Sequence, residues 1–386
     1  MIEWNDDQRA LREAFSRWHE ALSAGHIEHD RDGNFSEEKW KLIRESGILR
    51  LPFDEQWGGL GQDLLTTMYV LEDLGYGCRD GGLNFSVSTH LVSTGVAVQR
   101  FGSADLKKRY MAAICDGTSI GAHAITEPHG GSDAMGMRTM ATAEGDVFSL
   151  NGSKCFVSNG PVADLFVVYA KTEPGHGPWG VTAFLVERDT RGFTIGEPIE
   201  KMGLRTSPLC ELFFDDCKVP AENMIGKSGS GFFVLDVIMK WEILCSFIIS
   251  VGEMQHRLER CLEYAKKRTQ FGQPIGSFQS VAGKIVDMKI GVETARRWLY
   301  ETASRFANGE NVTIDIAISK LLASESNVAS AMAAVQIFGG NGYMTEYGLE
   351  KDLRNAVAGT IYSGTSEIQR NRIAAMLGLS SRRAAT

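Results

Sequence analysis

The hydrophobic period of this 386-residue chain changes twice, and this change limits the folds that are open to it. From Asp6 to about Asp116, apolar residues recur every three or four positions, as in DDQRALREAFSRWHEAL, which predicts helices. From about Ser119 to Gly226 the period falls towards two, and from about Phe232 the helical period returns. The chain therefore predicts a β domain between two helical domains, with bounds at 1–118, 119–226 and 227–386.

Local signals add detail to this division. Ser36, followed by two glutamates, predicts an N-cap with an acidic first turn. Asn151-Gly152 lies between two short β-type runs and predicts a hairpin turn. The runs DLFVVYAKT and GVTAFLVERD predict further strands of a sheet of six to eight, the second run being buried on both faces. Four C-terminal segments are long enough for a four-helix bundle: 232–267, 277–308, 312–338 and 366–377.

Composition excludes several function classes. The formal net charge of −8 argues against a nucleic-acid partner. Seven scattered cysteines without a CxxC pair indicate neither a disulfide framework nor a zinc site, so no metal is expected and a reducing cytoplasm is predicted. The N-terminal sequence lacks the pattern of a signal peptide, and the apolar stretches are too short for a membrane span. No GxGxxG follows a predicted strand, so a Rossmann dinucleotide site is not supported.

Two motifs in the β region indicate a ligand. AITEPHGGSD (124–133) clusters small residues, which let backbone N–H groups approach a ligand. In KCFVSNGP (154–161), Phe156 and Ser158 are two residues apart, so on a regular strand they share a face that suits a flat heterocycle. The alternatives are a β-turn carrying polar residues and an ordinary core Phe beside a surface Ser.

Two further motifs lie in the C-terminal region. In KKRTQFGQPIGSFQ (266–279), Arg268 at a helix end suits a pyrophosphate, because guanidinium matches phosphate oxygens in a bidentate fork. QIFGGNGYMTE (336–346) and IYSGTSEIQR (361–370) are glycine-containing turns beside helices, where backbone N–H groups hold anions. A solvated charged face and plain helix capping are the alternatives.

Together the motifs resemble the acyl-CoA dehydrogenase family across nearly the whole chain. The matching patterns are TEP-x-x-GSD, R-x-x-FG-x-x-I-x-x-x-Q, QxFGGxGY and Y-x-GTSxIQR. The resemblance implies an N-terminal helical domain, a middle β-barrel or sandwich and a C-terminal four-helix bundle, with FAD held between them. It also implies a homodimer or homotetramer, since part of the cofactor contact comes from a neighbouring subunit.

The family's FAD contacts fall on three sets of residues in this chain. The flavin and phosphate contacts are implied at Ile125, Thr126, Ser132, Phe156 and Ser158. The contacts made from a neighbouring subunit are implied at Arg268, Phe271 and Gln279. The remaining nucleotide contacts are implied at Gln336, Gly339, Gly340, Thr365 and Glu367, the last at a position where many relatives carry Gln.

The catalytic base departs from the commoner family pattern. Many members carry it as the Glu of a Y-E-G-T turn, whereas here Ser363 takes that place and cannot act as the carboxylate. A second subset carries the base on the first long helix of the C-terminal domain, where Glu242 lies in IMKWEILCSFIISVGEMQ. Its apolar neighbours predict burial without a partner, which raises the pKa of a carboxyl group and suits a base for a weakly acidic C–H. An acid on the solvated side of the helix is the alternative.

The flanks of Glu242 bear on the substrate. Members that act on CoA esters show an acid before the base and an arginine after it, whereas here the neighbours are Lys240, Trp241 and Ile243. The segment QFGQPIGSFQS and the Trp-Glu pair resemble the carrier-protein-linked branch, prolyl-carrier-protein dehydrogenases above all. This implies α,β-dehydrogenation of an acyl, aminoacyl or hydroxyacyl thioester in natural-product biosynthesis. Trp241, Tyr362 and Ser363 would contact the substrate, and oxygen or an electron-transfer protein would reoxidise the flavin.

Three alternatives stay open. They are an acyl-CoA dehydrogenase of fatty-acid or branched-chain amino-acid breakdown, a non-catalytic FAD-binding homologue, and a monooxygenase on the same fold.

Overall fold

The structure, a computed structural model, describes residues 2–379. The helices are α1 (Asp6–Ser16), α2 (His19–Ser23), α3 (His26–Asp32), α4 (Glu37–Ser46), α5 (Leu64–Gly77), α6 (Gly81–Ser88), α7 (Ala97–Phe101), α8 (Ala104–Cys115), α9 (Gly231–Lys267), α10 (Gln279–Ala307), α11 (Thr313–Phe338), α12 (Gly340–Tyr343), α13 (Leu349–Ala358) and α14 (Ser366–Met376). A π-helical segment, Thr89–Val96, joins α6 to α7. The strands are β1 (Gly121–Ala124), β2 (Met140–Glu144), β3 (Val147–Ser158), β4 (Leu165–Lys171), β5 (Val181–Glu187), β6 (Phe193–Ile195), β7 (Leu209–Pro220), β8 (Met224–Ile225), β9 (Thr269–Gln270) and β10 (Gln273–Pro274).

The predicted order of helices, strands and helices is observed, and the local caps explain several boundaries. Asn5 and Gln8 form a capping box at the start of α1. Ser36 accepts a hydrogen bond from the backbone N–H of Lys39 at the start of α4, which confirms the predicted N-cap. Gly47 then ends α4 in the left-handed conformation that glycine adopts without strain.

The β region forms one eight-stranded sheet, at the upper end of the predicted number. Its order is β6-β7-β3-β2-β4-β5-β8, and β1 pairs in parallel with β4. Six of the seven residues of β5 are buried, as the near-continuous apolar run predicted. Alternate residues of the strands meet in one apolar core, which includes Ala122, Phe166 and Phe184.

The predicted hairpin turn at Asn151-Gly152 is wrong. Both residues lie inside the continuous strand β3, and the β2–β3 turn is made instead at Gly145-Asp146, with Gly145 at φ 68°. Asn151 sits opposite a bulge in β7, where its side chain accepts a hydrogen bond from the Asp216 backbone N–H at 2.9 Å. A strand partner that was invisible in the sequence therefore outweighs the local turn propensity.

The described chain divides into two compact units. The sheet unit comprises Glu28–Asp63 and Gly82–Glu242, and the bundle unit comprises the chain up to Ile27, Leu64–Gly81 and the chain from Ile243 onward.

Helices from the four predicted C-terminal segments are present in the structure, and three of them are tied together by buried polar contacts. The guanidinium of Arg257 on α9 donates to Asn327 on α11 at 2.9 Å, and Thr302 on α10 lies 2.9 Å from Ser319 on α11. Helix α13 was not predicted. It brings Asp352 into the same buried network, where Arg257, Lys351 and Arg79 all lie within ion-pair distance.

Candidate active site

Glu242 lies on the part of α9 that belongs to the sheet unit, among polar groups from two other elements. Its Oε2 accepts a hydrogen bond from Ser93 Oγ at 2.9 Å and lies 3.5 Å from His123 Nδ1. The Glu242 side chain is 15% exposed and that of His123 is 6% exposed. The expected burial is thus observed, but the expected absence of a partner is wrong, because the partners come from distant segments of the chain.

His123 reaches Glu242 because of strand alternation in β1. Ala122 and Ala124 point into the sheet core, so His123 points to the opposite face. On that side the Tyr169 hydroxyl of β4 lies 3.3 Å from His123 Nε2, and the two rings meet edge to face at 5.4 Å. Burial, and to a lesser extent the charge of Glu242, raise the pKa of Tyr169, so the phenol keeps its proton.

Ser93 is presented by the π-helical segment, a rare conformation with i→i+5 hydrogen bonds that often marks functional sites. Its neighbour Thr94 donates to the Ala122 carbonyl at 3.1 Å, and His90 Nδ1 accepts from the Gly121 N–H at 3.0 Å. Burial lowers the pKa of His90 to about 4, so this imidazole is neutral and structural. The segment is therefore fastened to β1 on both sides of Ser93.

The predicted flavin loop after β1 rests on a buried ion pair. Lys154 Nζ lies 2.9 Å from Glu127 Oε1 and donates to the Ile125 carbonyl at 3.1 Å. The Thr126 carbonyl accepts from the Cys155 N–H at 2.8 Å. Ile125 and Thr126 are half-buried beyond this clamp, and Ser132 is exposed. The loop is therefore held by Lys154 and by backbone hydrogen bonds, and the Ser132 side chain is left exposed.

Phe156 adopts a strained backbone at the end of β3. It has φ 56° and is 65% exposed, and the β3–β7 register shifts between Lys154 and Val157. The prediction that Phe156 and Ser158 share a face assumed regular strand alternation, and the bulge interrupts that alternation. Ser158 is half-buried. An aromatic plane is nevertheless presented outward, as a flat ligand requires.

The bundle unit carries a second exposed aromatic, at the tip of the β9–β10 hairpin. Phe271 and Gly272 both have positive φ, 52° and 78°, as a two-residue type I′ turn requires. Phe271 is 93% exposed, and Arg268 and Gln279, on either side of the hairpin, are exposed as well.

The two glycine turns of the bundle unit differ in what they offer. Gln336, Gly339 and Gly340 are exposed, and added Cβ atoms on either glycine would meet nothing within 4 Å. Gly339 has φ 60° and ψ −132°, a region that is essentially restricted to glycine. This turn leaves open space directly against its backbone.

The second turn carries the remaining predicted residues. Ser363 has φ 52°, its carbonyl accepts from Gln369 Nε2 at 2.9 Å, and Tyr362 stacks on Phe247 with ring centroids 5.3 Å apart. Thr365 caps α14 by accepting from the Ile368 N–H. Glu367 is exposed, and hydrogen bonds from its own N–H and from Thr365 lower its pKa.

Trp241 is only 6% exposed, and the Arg100 guanidinium lies 5.2 Å from its ring centre, so its contact with a substrate stays a prediction. The sequence reasoning assigned no role to Ser93, His123 or Tyr169. Only His123 had a readable signal, as a polar residue between two alanines on the strand that leads into the TEP motif.

Within residues 2–379, the His, Cys, Asp and Glu side chains form no group of three able to hold a metal ion. In the same part of the chain, no helix combines the length and the apolar character needed to cross a membrane.

Three family models match consecutive parts of the chain. They describe the N-terminal, middle and C-terminal domains of acyl-CoA dehydrogenase and match residues 5–118, 122–217 and 229–378.

Curated relatives and a solved structure are similar over most of their length. Two L-prolyl-[peptidyl-carrier protein] dehydrogenases are 42% identical (Serratia sp., 89% of each chain covered) and 39% identical (Pseudomonas fluorescens, 93% of this chain and 94% of the relative). A short-chain-specific acyl-CoA dehydrogenase from Megasphaera elsdenii is 37% identical over 89% of this chain and 90% of its own. The structure of PigA with FAD and proline superimposes with a TM-score of 0.95 at 39% identity, covering 98% of this chain and 99% of that one.

Proposed function

Because the chain belongs to the acyl-CoA dehydrogenase family, we propose that it is an FAD-dependent dehydrogenase of an acyl thioester carried on a peptidyl carrier protein. The observation that carries this proposal is the Glu242 carboxylate, partly buried and oriented by Ser93 and His123. The family predicted from the four motifs is confirmed, and so is its three-part fold.

Glu242 is proposed as the base that takes the α-proton of the thioester. The Glu242 carboxylate is mostly withdrawn from water, and Ser93, which donates to Oε2, and His123, 3.5 Å from the same oxygen, restrict its orientation. Ser363 stands where many relatives carry the carboxylate, and a serine cannot replace that group. With the base on α9, a single carboxylate is sufficient for proton removal.

The exposed groups of each unit fit FAD. In the sheet unit, the Phe156 ring and the half-buried Thr126 and Ser158 offer an aromatic plane beside hydroxyl groups. In the bundle unit, the open space against Gly339 and Gly340 lets a ligand approach the backbone closely. FAD would also be contacted by the remaining predicted residues: Ile125, Ser132, Arg268, Phe271, Gln279, Gln336, Thr365 and Glu367. When bound, FAD supplies the acceptor for the hydride that leaves the β carbon.

A carrier-protein thioester is proposed over a CoA ester on two grounds. The acid-base-arginine pattern of the CoA-linked members is absent, because Trp241 and Ile243, both buried, flank Glu242. Lys240 is paired with Asp236 at 2.5 Å on its own helix. Two relatives, 39% and 42% identical to this chain, act on prolyl groups of carrier proteins, by their names. The substrate class proposed here is therefore an aminoacyl thioester such as prolyl, with Trp241, Tyr362 and Ser363 near it.

A homo-oligomer is part of the proposal. Phe271 is 93% exposed at a hairpin tip, and burying such a ring against a second copy of the chain would release water from an apolar surface. Arg268 and Gln279 flank the tip and would join it in contacting the neighbouring subunit's FAD. We therefore propose a homodimer or homotetramer. Oxygen or an electron-transfer protein is proposed as the reoxidant of the flavin.

The test is flavin bleaching in the purified holoenzyme without oxygen. A prolyl thioester on a peptidyl carrier protein is expected to bleach the flavin band in a single turnover, whereas prolyl-CoA and butyryl-CoA are expected to react at least 100-fold more slowly. Fast bleaching by butyryl-CoA alone would instead identify an acyl-CoA dehydrogenase.

Glu242→Gln tests the base itself. The variant is expected to keep FAD and lose at least 1,000-fold in the rate of bleaching, since an amide cannot accept the proton. Glu263→Gln is the matched control, because Glu263 lies on the same helix but is exposed and forms an ion pair with Lys267. Full activity of Glu242→Gln would show that the proposed base is wrong, and inactivity of the wild-type chain with every thioester would favour a non-catalytic homologue.

A further inference from the structure

A chain of polar groups leads from the interior of the sheet unit to Glu242. It runs from the Tyr169 hydroxyl to His123 at 3.3 Å and from His123 to Glu242 Oε2 at 3.5 Å, and Ser93 reaches the same oxygen at 2.9 Å. We infer that His123, backed by Tyr169, is a positioning residue that orients the Glu242 carboxylate and stabilises its ionised form. This inference rests on the proposed function, in which that carboxylate is the base.

The proton positions follow from the partners. Tyr169 is fully buried, so its phenol remains protonated and requires an acceptor, which His123 Nε2 provides. A neutral imidazole that accepts at Nε2 carries its hydrogen on Nδ1. That N–H then faces Glu242 Oε2, so the tyrosine selects the tautomer that supports an ionised carboxylate.

The π-helical segment that carries Ser93 also anchors the backbone next to His123. The backbone on the N-terminal side of His123 is held by His90, which accepts from the Gly121 N–H, and by Thr94, which donates to the Ala122 carbonyl. Both anchors belong to the π-helical segment that also presents Ser93. Because this one segment carries Ser93 and also holds the backbone next to His123, the positions of both residues relative to Glu242 Oε2 are fixed together.

Two cationic side chains near Glu242 in the sheet unit have partners of their own. Lys240, two residues before Glu242 on α9, is paired with Asp236, and the Arg100 guanidinium lies over the Trp241 ring. His123 lies at ion-pair distance from Glu242, and the charge of Glu242 is felt at the Tyr169 phenol. A donor that stabilises the charged form of an acid allows the acid to ionise at lower pH, so removing the donor moves ionisation to higher pH.

The experiment is the pH dependence of flavin bleaching in a single turnover, using the holoenzyme and a prolyl thioester on a peptidyl carrier protein. His123→Ala is expected to move the acid limb to higher pH by about one unit, the size of one hydrogen bond to a charged group. Tyr169→Phe is expected to move it in the same direction by less, since the ring stays but the tautomer is no longer selected. His123→Asn is expected to keep the limb near its wild-type position, because its amide N–H replaces the imidazole donor.

His176→Ala is the control, since this histidine is 67% exposed and pairs with Glu173. FAD content and melting temperature are measured for each variant. An acid limb that stays in place in both His123→Ala and Tyr169→Phe would overturn the inference, as would an Asn variant that behaves like the Ala variant. If His123→Ala does not fold, Tyr169→Phe and His123→Asn still decide. Activity retained by Glu242→Gln would instead remove the proposed function, so the two failures are distinguishable.

Discussion

The Lys154–Glu127 ion pair beneath the predicted flavin loop is the contact whose loss we expect to be most damaging. Lys154 is completely buried and Glu127 is 5% exposed, and Glu127 also accepts from the Arg138 and Thr139 backbone N–H groups. Burial by itself raises the pKa of the Glu127 carboxyl group. The charge and hydrogen bond of Lys154, with the hydrogen bonds from Thr139 and Arg138, outweigh burial and lower this pKa from 4.5 to about 2. Because one pKa unit corresponds to about 1.4 kcal/mol, this shift is worth roughly 3 kcal/mol of stability above pH 4.5.

Lys154→Met removes the cation and keeps most of the side-chain volume. It leaves a buried carboxylate without its cation, which costs about 3–5 kcal/mol at neutral pH. For a cooperative unit of 150–250 residues, each kcal/mol lowers the melting temperature by about 2–4 °C, so we expect a fall of at least about 6 °C. The clamp also holds the Ile125 carbonyl, so the variant should bind FAD more weakly.

The assay is thermal unfolding followed by circular dichroism between pH 7 and pH 3, with FAD content measured in parallel at pH 7. The folded-state pKa of Glu127 is lowered, so its stabilisation is present above pH 4.5 and is lost as pH falls towards 2. The gap between wild type and variant should therefore narrow as the pH is lowered. Lys218→Met on β7 is the control, because Lys218 is 32% exposed and its ion pairs are screened by water. A gap below 2 °C at pH 7, or one that does not change with pH, would refute this reasoning.

Three further outcomes are expected. The cysteines are all buried, and burial raises the pKa of several thiols, among them Cys217 and Cys261 to about 12. A thiol reagent at pH 8 should therefore label the native protein slowly and the urea-unfolded protein completely. Gly75→Ala should lower the melting temperature of the bundle unit, because an added Cβ would lie 2.0 Å from the Ile249 carbonyl oxygen. Gly283→Ala, whose added Cβ would meet nothing within 4 Å, should raise the melting temperature slightly, and equal effects of the two substitutions would contradict this packing. Phe271→Ser should shift sedimentation towards the monomer and weaken FAD retention while leaving far-ultraviolet circular dichroism unchanged, and an unaltered oligomer would contradict the role given to the hairpin tip.

The order of helices and strands and the family could both be read from the amino-acid sequence. Hydrophobic periods of 3.6 and 2 reflect which residues are buried, and they are readable over long segments such as α9, α11 and β5. The family motifs were readable because glycines, hydroxyls and charges that serve one ligand recur at fixed spacing. A short turn signal such as Asn151-Gly152 failed, because a bulged neighbour strand decided the backbone there.

The surroundings of Glu242, by contrast, depend on how distant segments of the chain pack together. Apolar neighbours along α9 predicted a carboxylate without partners, but hydrogen bonds join residues that are far apart in the chain. Ser93 comes from a π-helical segment and His123 from a strand whose register with β4 also places Tyr169. Periodicity reports whether a side chain is buried. The atoms that surround it are set by the pairing of strands and helices, which no local pattern encodes.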